Sequence, residues 1–293
     1  MHKQISEKVL ILGVTGMLGH TLFNYLFSKK DLDLYGTART DTHISEWFAK
    51  ECVRKILTSV SVDDFDALVD VFAEIQPDIV INCIGLIKQL PSSNNPLNAI
   101  TINAQLPHKI ALLCKTYRTR MIHISTDCVF SGQKGNYTEN DPADATDLYG
   151  RTKFLGEVYY PNTVTLRTSI IGHELKNKYG LIEWFLSQEN KIKGYTNVIY
   201  SGFPTIEFAR IIADYVISNP QLTGLYHVSS APISKYDLLK SVAKKYKKQI
   251  NIEPYDAINS DRSLNSGYFK SITGYSSPCW DELIDKMYRH RSL

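Results

Sequence analysis

Val9-Leu10-Ile11-Leu12-Gly13-Val14-Thr15-Gly16-Met17-Leu18-Gly19 decides how this chain folds. The unbroken apolar run Val9–Leu12 reads as a strand buried on both faces, which is how strands of a parallel sheet look. The glycines that follow have the spacing of a strand-to-helix turn. Gly13 permits the tight turn, Gly16 lets a pyrophosphate come close to the backbone, and Gly19 lets helix and strand pack closely. The unpaired N–H groups at the helix start add a positive field for that anion. Thr15, Met17 and Leu18 lie in the same loop and are expected at the cofactor. A glycine-rich turn that binds nothing is the plain alternative. The strand before and the helix after are the context a dinucleotide fingerprint needs.

Outward from this turn the pattern repeats. Asp33–Thr37, Asp78–Ile81, Met121–Ser125 and Thr163–Arg167 read as further buried strands, with Leu225–Val228 as another candidate. Between them lie helical faces: Leu18, Leu22 and Leu26; Phe65, Leu68, Val69 and Phe72; and the segment Ala104–Tyr117. Strands alternating with helices predict an α/β fold, a doubly wound parallel Rossmann sheet. After Arg167 the alternation fades and a smaller C-terminal substrate lobe is expected. The boundaries so read are 1–170 for the dinucleotide-binding domain, with 201–229 returning to it, and 171–200 with 230–293 for the lobe.

Composition removes several classes. The 293 residues carry a net charge of +3 with basic and acidic residues interspersed, so no stripe for nucleic acid exists. Lys240–Lys248 is locally basic and reads as the exposed face of an amphipathic helix. Cys52, Cys83, Cys114, Cys128 and Cys279 are odd in number and far apart, with neither zinc spacing nor a disulfide framework. No metal site is expected. Met1–Lys8 is polar and leads directly into a strand, so no signal peptide is read. No apolar run has membrane-spanning length. The expected setting is the cytoplasm, with no membrane partner.

About twenty residues past the glycines, an NAD site places an acidic residue on the ribose 2′-hydroxyl. Here the second strand ends Gly36-Thr37-Ala38-Arg39-Thr40. A guanidinium at Arg39 suits a 2′-phosphate, so the expected cofactor is NADPH. An exposed loop arginine is the plain alternative.

Tyr149-Gly150-Arg151-Thr152-Lys153 puts a phenol and an ammonium one helical turn apart. An adjacent ammonium is expected to lower the phenol's pKa and tune it as an acid/base for a carbonyl oxygen. Ser125-Thr126-Asp127 closes the strand Met121–Ser125, at the sheet end where α/β folds place ligands. The Thr126 hydroxyl there can polarise a carbonyl, or can simply cap its own backbone.

With these motifs, the chain resembles the extended short-chain dehydrogenase/reductase superfamily. Within it, the chain is similar to the dTDP-4-dehydrorhamnose reductase family. The likeness rests on Gly13–Gly19, on Asn103-Ala104 with Pro107, and on the run Ser125–Gly132. It continues through Tyr137-Thr138-Glu139, Tyr149–Lys153, Gly156-Glu157, Leu166–Ser169 and Gly202–Thr205. The resemblance implies hydride transfer from NADPH to C4 of a nucleotide-linked 4-keto-6-deoxyhexose. Thr126, Tyr149 and Lys153 would be catalytic, and Lys153 would also hold the nicotinamide ribose. Asn82, Cys83, Ile84 and Gly85 would form the loop beside the cofactor, joined by Asn103 and Ser125. The substrate would meet Lys88, Asp127, Cys128, Thr168, Gly202, Pro204 and Arg262. A homodimer is compatible with such a protein.

The chain departs from the rhamnose pattern in three places. Cys128 stands where that branch usually has tyrosine. Leu86-Ile87-Lys88-Gln89 replaces a more acidic loop. Ser61, followed by Asp63 and Asp64, stands at the adenine-side aspartate. The first two changes make room and add donors, so a UDP-linked 2-acetamido-4-keto-2,6-dideoxy-L-hexose for surface polysaccharide is expected. A dTDP-4-keto-L-rhamnose is the alternative. A 4,6-dehydratase would want an Asp-Glu pair after the threonine, and here Cys128 follows Asp127. A C4 epimerase and a non-catalytic NADP-binding subunit, like the regulatory subunit of methionine adenosyltransferase, are the remaining rivals.

Overall fold

The computed structural model describes residues 6–29, 31–89 and 91–291. Seven parallel strands form the central sheet in the order Gly224–His227, β6, β5, β4, β1, β2, β3. Here β1 is Glu7–Leu12, β2 Leu32–Thr37, β3 Ile56–Leu57, β4 Ile79–Asn82, β5 Arg120–Thr126 and β6 Thr163–Thr168. The chain starts at the middle, winds outward to β3, then crosses back over β1 through β4 to the other edge. That reversal between β1 and β4 is the switch point of a doubly wound sheet. Each strand predicted from sequence is present within a residue or two. The two-residue strand β3 is too short to carry a pattern.

Helices cover both faces. The helix α1 (Met17–Phe27) buries Leu18, Leu22, Phe23 and Leu26 with Val9 and Ile11 of β1 on one side. On the other side, Leu68, Val71 and Phe72 of the helix Phe65–Ile75 pack with Leu10, Leu12 and Val80. Alternate residues of β1 therefore serve opposite layers, as strand geometry requires. Asp64 caps the helix Phe65–Ile75 by accepting from Ala67 N at 3.3 Å.

The segment expected as a helix from Ala104 begins earlier. It runs from Pro96, passes through a widened π-type turn at Ile100–Gln105 and continues as Leu106–Tyr117. Pro107 has no N–H to offer Asn103 O, so regular bonding fails there. Gly156 fits beside the freed carbonyl, where a Cβ would lie 1.9 Å from Asn103 O.

Beyond Thr168, the helix Thr205–Ile211 packs on α1, with Thr21 Oγ1 donating to Thr205 Oγ1 at 3.1 Å. The strand Gly224–His227 then pairs with β6 in register Leu225↔Thr165. A separate core of Ile171, Ile182, Phe185, Leu238, Leu239 and Ile284 gathers elements that follow β6. Its helix Lys235–Tyr246 buries Leu238, Leu239 and Val242 and presents Lys240 to solvent, as its basic pattern predicts.

Candidate active site

Gly13 has φ of +84°, the left-handed value the turn requires. Gly19 is packed so tightly that a Cβ would lie 2.1 Å from Gly13 O. Gly16 differs. A Cβ on it would meet only Gly13 O, at an ordinary 3.5 Å. The fold therefore does not need glycine at Gly16, and space stands open over it. Gly16 is the N-cap of α1 and offers no side-chain cap, so the first N–H groups of the helix are left for a ligand. Leu18 is buried at 6 % exposure and its side chain belongs to the core. These residues fit a dinucleotide pyrophosphate. Arg39 follows β2 and is exposed.

The loop after β4 completes the same cleft. Asn82 Oδ1 accepts from Ile84 N at 3.1 Å, and Asn82 Nδ2 lies 3.2 Å from His123 Nδ1 on β5. Burial holds His123 neutral, well below the ordinary imidazole range. Asn103 grips the next step: its Oδ1 accepts from Leu86 N at 2.8 Å and its Nδ2 donates to Leu86 O at 3.1 Å. Asn103 is 1 % exposed, so its buried amide holds Leu86, the residue after Gly85. Gly85 is exposed, and a Cβ there would lie 3.8 Å from Lys153 Nζ. Cys83 is near enough to Lys153 for the two charges to interact, although burial pushes its thiol up to about 12.

The helix Leu148–Leu155 carries the catalytic candidates. Asp147 caps it, accepting from Gly150 N at 2.9 Å. Gly150 lets the helix press against the turn after β5, where a Cβ would lie 2.3 Å from Cys128 O. This close approach brings Tyr149 to Thr126, whose hydroxyl is the favourable polar neighbour of the phenol. Thr126 Oγ1 donates to Asp127 Oδ1 and accepts from Cys128 N, both at 3.1 Å. Self-capping and facing Tyr149 are thus the same conformation.

One expectation is reversed. Lys153 does not lower the Tyr149 pKa in this structure. Burial pushes the phenol well above its ordinary value, and the neighbouring Cys128, Asp127 and Asp147 add to the rise. Lys153 Nζ instead donates to Ile124 O at 2.9 Å. Burial lowers that lysine to about 8, against the raising effect of Glu157 and Cys83.

Other named residues lie in or under the cleft. Ser125 is 4 % exposed and donates to Glu157 Oε1 at 2.7 Å, so its hydroxyl is committed to the fold. Thr168, Gly202 and Pro204 are buried where β6 passes into the lobe, with Phe203 N donating to Ser169 O at 2.8 Å. They support the site without opening onto it. Arg262 Nε donates to Phe130 O at 2.8 Å, and its Nη1 lies 4.0 Å from Cys128 Sγ. Lys88 Nζ donates to Asp147 Oδ2 at 3.3 Å. Lys235 was missed by sequence reading, yet it sits close enough to Asp127, Cys128 and Arg262 to feel all three. Only its place before an amphipathic helix marks it, and many lysines share that. Among the described residues no cluster able to hold a metal ion is found, and no helix is long and apolar enough to cross a membrane.

A dinucleotide turn, a tyrosine–lysine helix and a strand-end threonine meeting at the switch point define a nucleotide-binding α/β protein with short-chain dehydrogenase geometry. The chain belongs to the RmlD substrate binding domain family, which it matches over residues 7–267. It is 26 % identical to methionine adenosyltransferase 2 subunit beta of Danio rerio, over 81 % of this chain and 73 % of that one. It is 30 % identical to the probable low-salt glycan biosynthesis reductase Agl14 of Haloferax volcanii, over 55 % of this chain and 52 % of that one. The solved dTDP-4-dehydrorhamnose reductase of Bacillus anthracis in complex with NADP shares the fold, with a TM-score of 0.81 and 21 % identity. That match covers 97 % of this chain and 99 % of the other.

Proposed function

We propose that this protein is an NADPH-dependent reductase acting on the C4 ketone of a nucleotide-linked 4-keto-6-deoxyhexose. The observation that carries this reading is that Tyr149 faces Thr126 at the end of β5, while Lys153, one helical turn on, reaches Ile124 O of the same strand beside Gly85. The reductase names among its relatives support it, and so does the family. When bound, the reduced nicotinamide supplies hydride to the carbonyl carbon. Tyr149 donates its phenolic proton to the oxygen as negative charge develops there. Its raised pKa keeps that proton in place until then. The Thr126 hydroxyl steadies the same oxygen, and the Lys153 ammonium holds the nicotinamide ribose. Arg39 would pair with a 2′-phosphate, so NADPH should bind at least about tenfold more tightly than NADH, and Arg39→Ala should lose that preference.

The finer proposal is a UDP-2-acetamido-2,6-dideoxy-L-hexos-4-ulose as substrate, for surface polysaccharide synthesis. Cys128 leaves room where a phenol would fill it, and the side chain of Lys88 is 55 % exposed at the cleft edge. Its ammonium is a donor for the acetamido carbonyl. Incubation with NADPH and a panel of ketosugar nucleotides tests both levels. Net NADPH consumption with a higher kcat/KM for the UDP-acetamido sugar is expected. A preference for dTDP-4-keto-L-rhamnose overturns the finer proposal only. NADPH binding without turnover of any ketosugar overturns the reductase itself and favours a non-catalytic NADP-binding subunit.

A further inference from the structure

A small three-stranded sheet lies at the inner edge of the C-terminal lobe, with Val198–Tyr200 between Ile233–Ser234 and Ser260–Asp261. Its register sets both Ser234 and Asp261 opposite Ile199. The residues that follow, Lys235 and Arg262, therefore leave the sheet on either side of one strand and reach the same wall of the cleft. That wall is Asp127-Cys128, directly after the catalytic candidate Thr126.

The two cations are held differently. Arg262 is braced by Phe130 O and lies beside Cys128. Lys235 is partly buried, yet among the described residues it makes no hydrogen bond and no ion pair within 4 Å. Lys240, little more than one turn further along the same helix, is exposed and rests over the Tyr236 ring at 5.1 Å. A solvated lysine behaves like Lys240. Lys235 keeps its ammonium in a crevice, where burial lowers its pKa.

Charge in the crevice is unbalanced. Lys235 and Arg262 both act on the buried carboxylate of Asp127, and Lys88 lies near enough to Lys235 to add to the positive charge there. Asp127 already accepts from Thr126, and Lys88 is paired with Asp147. An unpartnered, desolvated ammonium is costly until an anion meets it. The geometry points to Lys235, together with Arg262, as the pair that grips the diphosphate of the nucleotide-sugar substrate and so sets the sugar against Tyr149. Arginine would supply a fork to one phosphate and lysine a point charge to the other. This inference rests on the nucleotide-sugar reading above and adds a residue that reading did not contain.

Calorimetric titration of the full chain, saturated with NADP, by UDP and by uridine tests it. Lys235→Met should weaken UDP binding by about tenfold or more, the scale of one lost charge-assisted hydrogen bond, and leave uridine unchanged. Lys235→Arg should restore most of the UDP affinity. Lys240→Met, a change of equal charge on the same helix, should bind UDP as the native chain does. A thermal midpoint of Lys235→Met at or above the native value shows that the fold is intact. Native UDP affinity in Lys235→Met overturns the inference, and so does an equal loss for UDP and uridine. Ketosugar turnover is read separately. A chain that shows the UDP contrast but reduces no ketosugar keeps this assignment and loses the reductase reading.

Discussion

Lys153 holds a charge that the fold disfavours. It is 5 % exposed, and burial brings its pKa down to about 8. In the unfolded chain a lysine titrates near about 10.4. Below pH 8 both states are charged and the native state bears the whole penalty. Between about 8 and 10.4 the unfolded chain holds more protons, so stability rises with pH and the penalty fades. Lys153→Met should therefore stabilise the fold at pH 7 and raise its thermal midpoint, the gain being on the order of a few kcal/mol less the lost bond to Ile124 O. That gain should shrink as pH climbs through the same window. Melting curves from pH 6 to 10 check it, and a uniformly destabilised variant would contradict the burial argument. The same titration should give kcat/KM a falling limb near pH 8, where the ammonium is lost. Tyr149→Phe keeps the ring and removes the proton. It should cost about a hundredfold or more in turnover with NADPH affinity little changed. Near-normal rates in that variant would return Tyr149 to an ordinary helix face.

At the scale of elements, the strand–turn–helix unit separates two uses of glycine. Gly19→Ala would place a Cβ 2.1 Å from Gly13 O, a backbone atom that cannot swing aside. Overpacking of this kind costs about 1–3 kcal/mol, so the variant should unfold earlier and bind NADPH poorly. Gly16→Ala meets nothing closer than 3.5 Å, and Gly16 already has φ of −77°. Its stability should stay within about 0.5 kcal/mol of native, as for changes away from special features. Its NADPH affinity should still fall, because the added methyl occupies the space of the pyrophosphate. Denaturation curves with NADPH titrations distinguish the two. Equal effects on stability would mean that Gly16 is structural after all. The loop after β4 is held from outside: Asn103, on a distant helical segment, fixes Leu86, directly after Gly85, through both amide atoms.

Across the whole molecule, a buried ion pair joins the sheet to the segment just after the helix Leu148–Leu155. Arg167 on β6 donates from Nε and Nη2 to the two oxygens of Glu157, each at 2.7 Å, with both side chains almost fully buried. Ser125 on β5 donates to the same carboxylate. His227 on the edge strand lies 3.2 Å from Arg167 Nη1, and its pKa is lowered to about 4, chiefly by burial. Three strands and the segment after Lys153 thus share one network. Arg167→Met leaves the buried Glu157 charge unpaired and should cost about 3–5 kcal/mol. Chemical denaturation measures this directly. If the double change with Glu157→Gln lost the sum of the two single losses, the pair would not be coupled.

The order of strands and helices was legible because burial on both faces writes itself as apolar runs, and helix faces recur with a fixed period. The glycine turn and the nearness of Tyr149 to Thr126 in the candidate site were legible for a related reason: each rests on local spacing. Three things lay beyond local pattern. The direction of the Tyr149 pKa depends on how densely β5, Cys128 and the helix cap crowd the phenol, and Lys153 turns to a strand carbonyl that its own helix does not contain. Ser125 and Asn103 look like cofactor residues in the chain, yet partners 32 and 17 positions away hold them to the fold. Lys235 has no motif at all. More than a hundred positions separate it from Asp127 in the chain, and a three-stranded register brings them together. Sequence determines what short-range spacing can encode. Desolvation and charge are sums over everything packed nearby, so only the tertiary structure decides them.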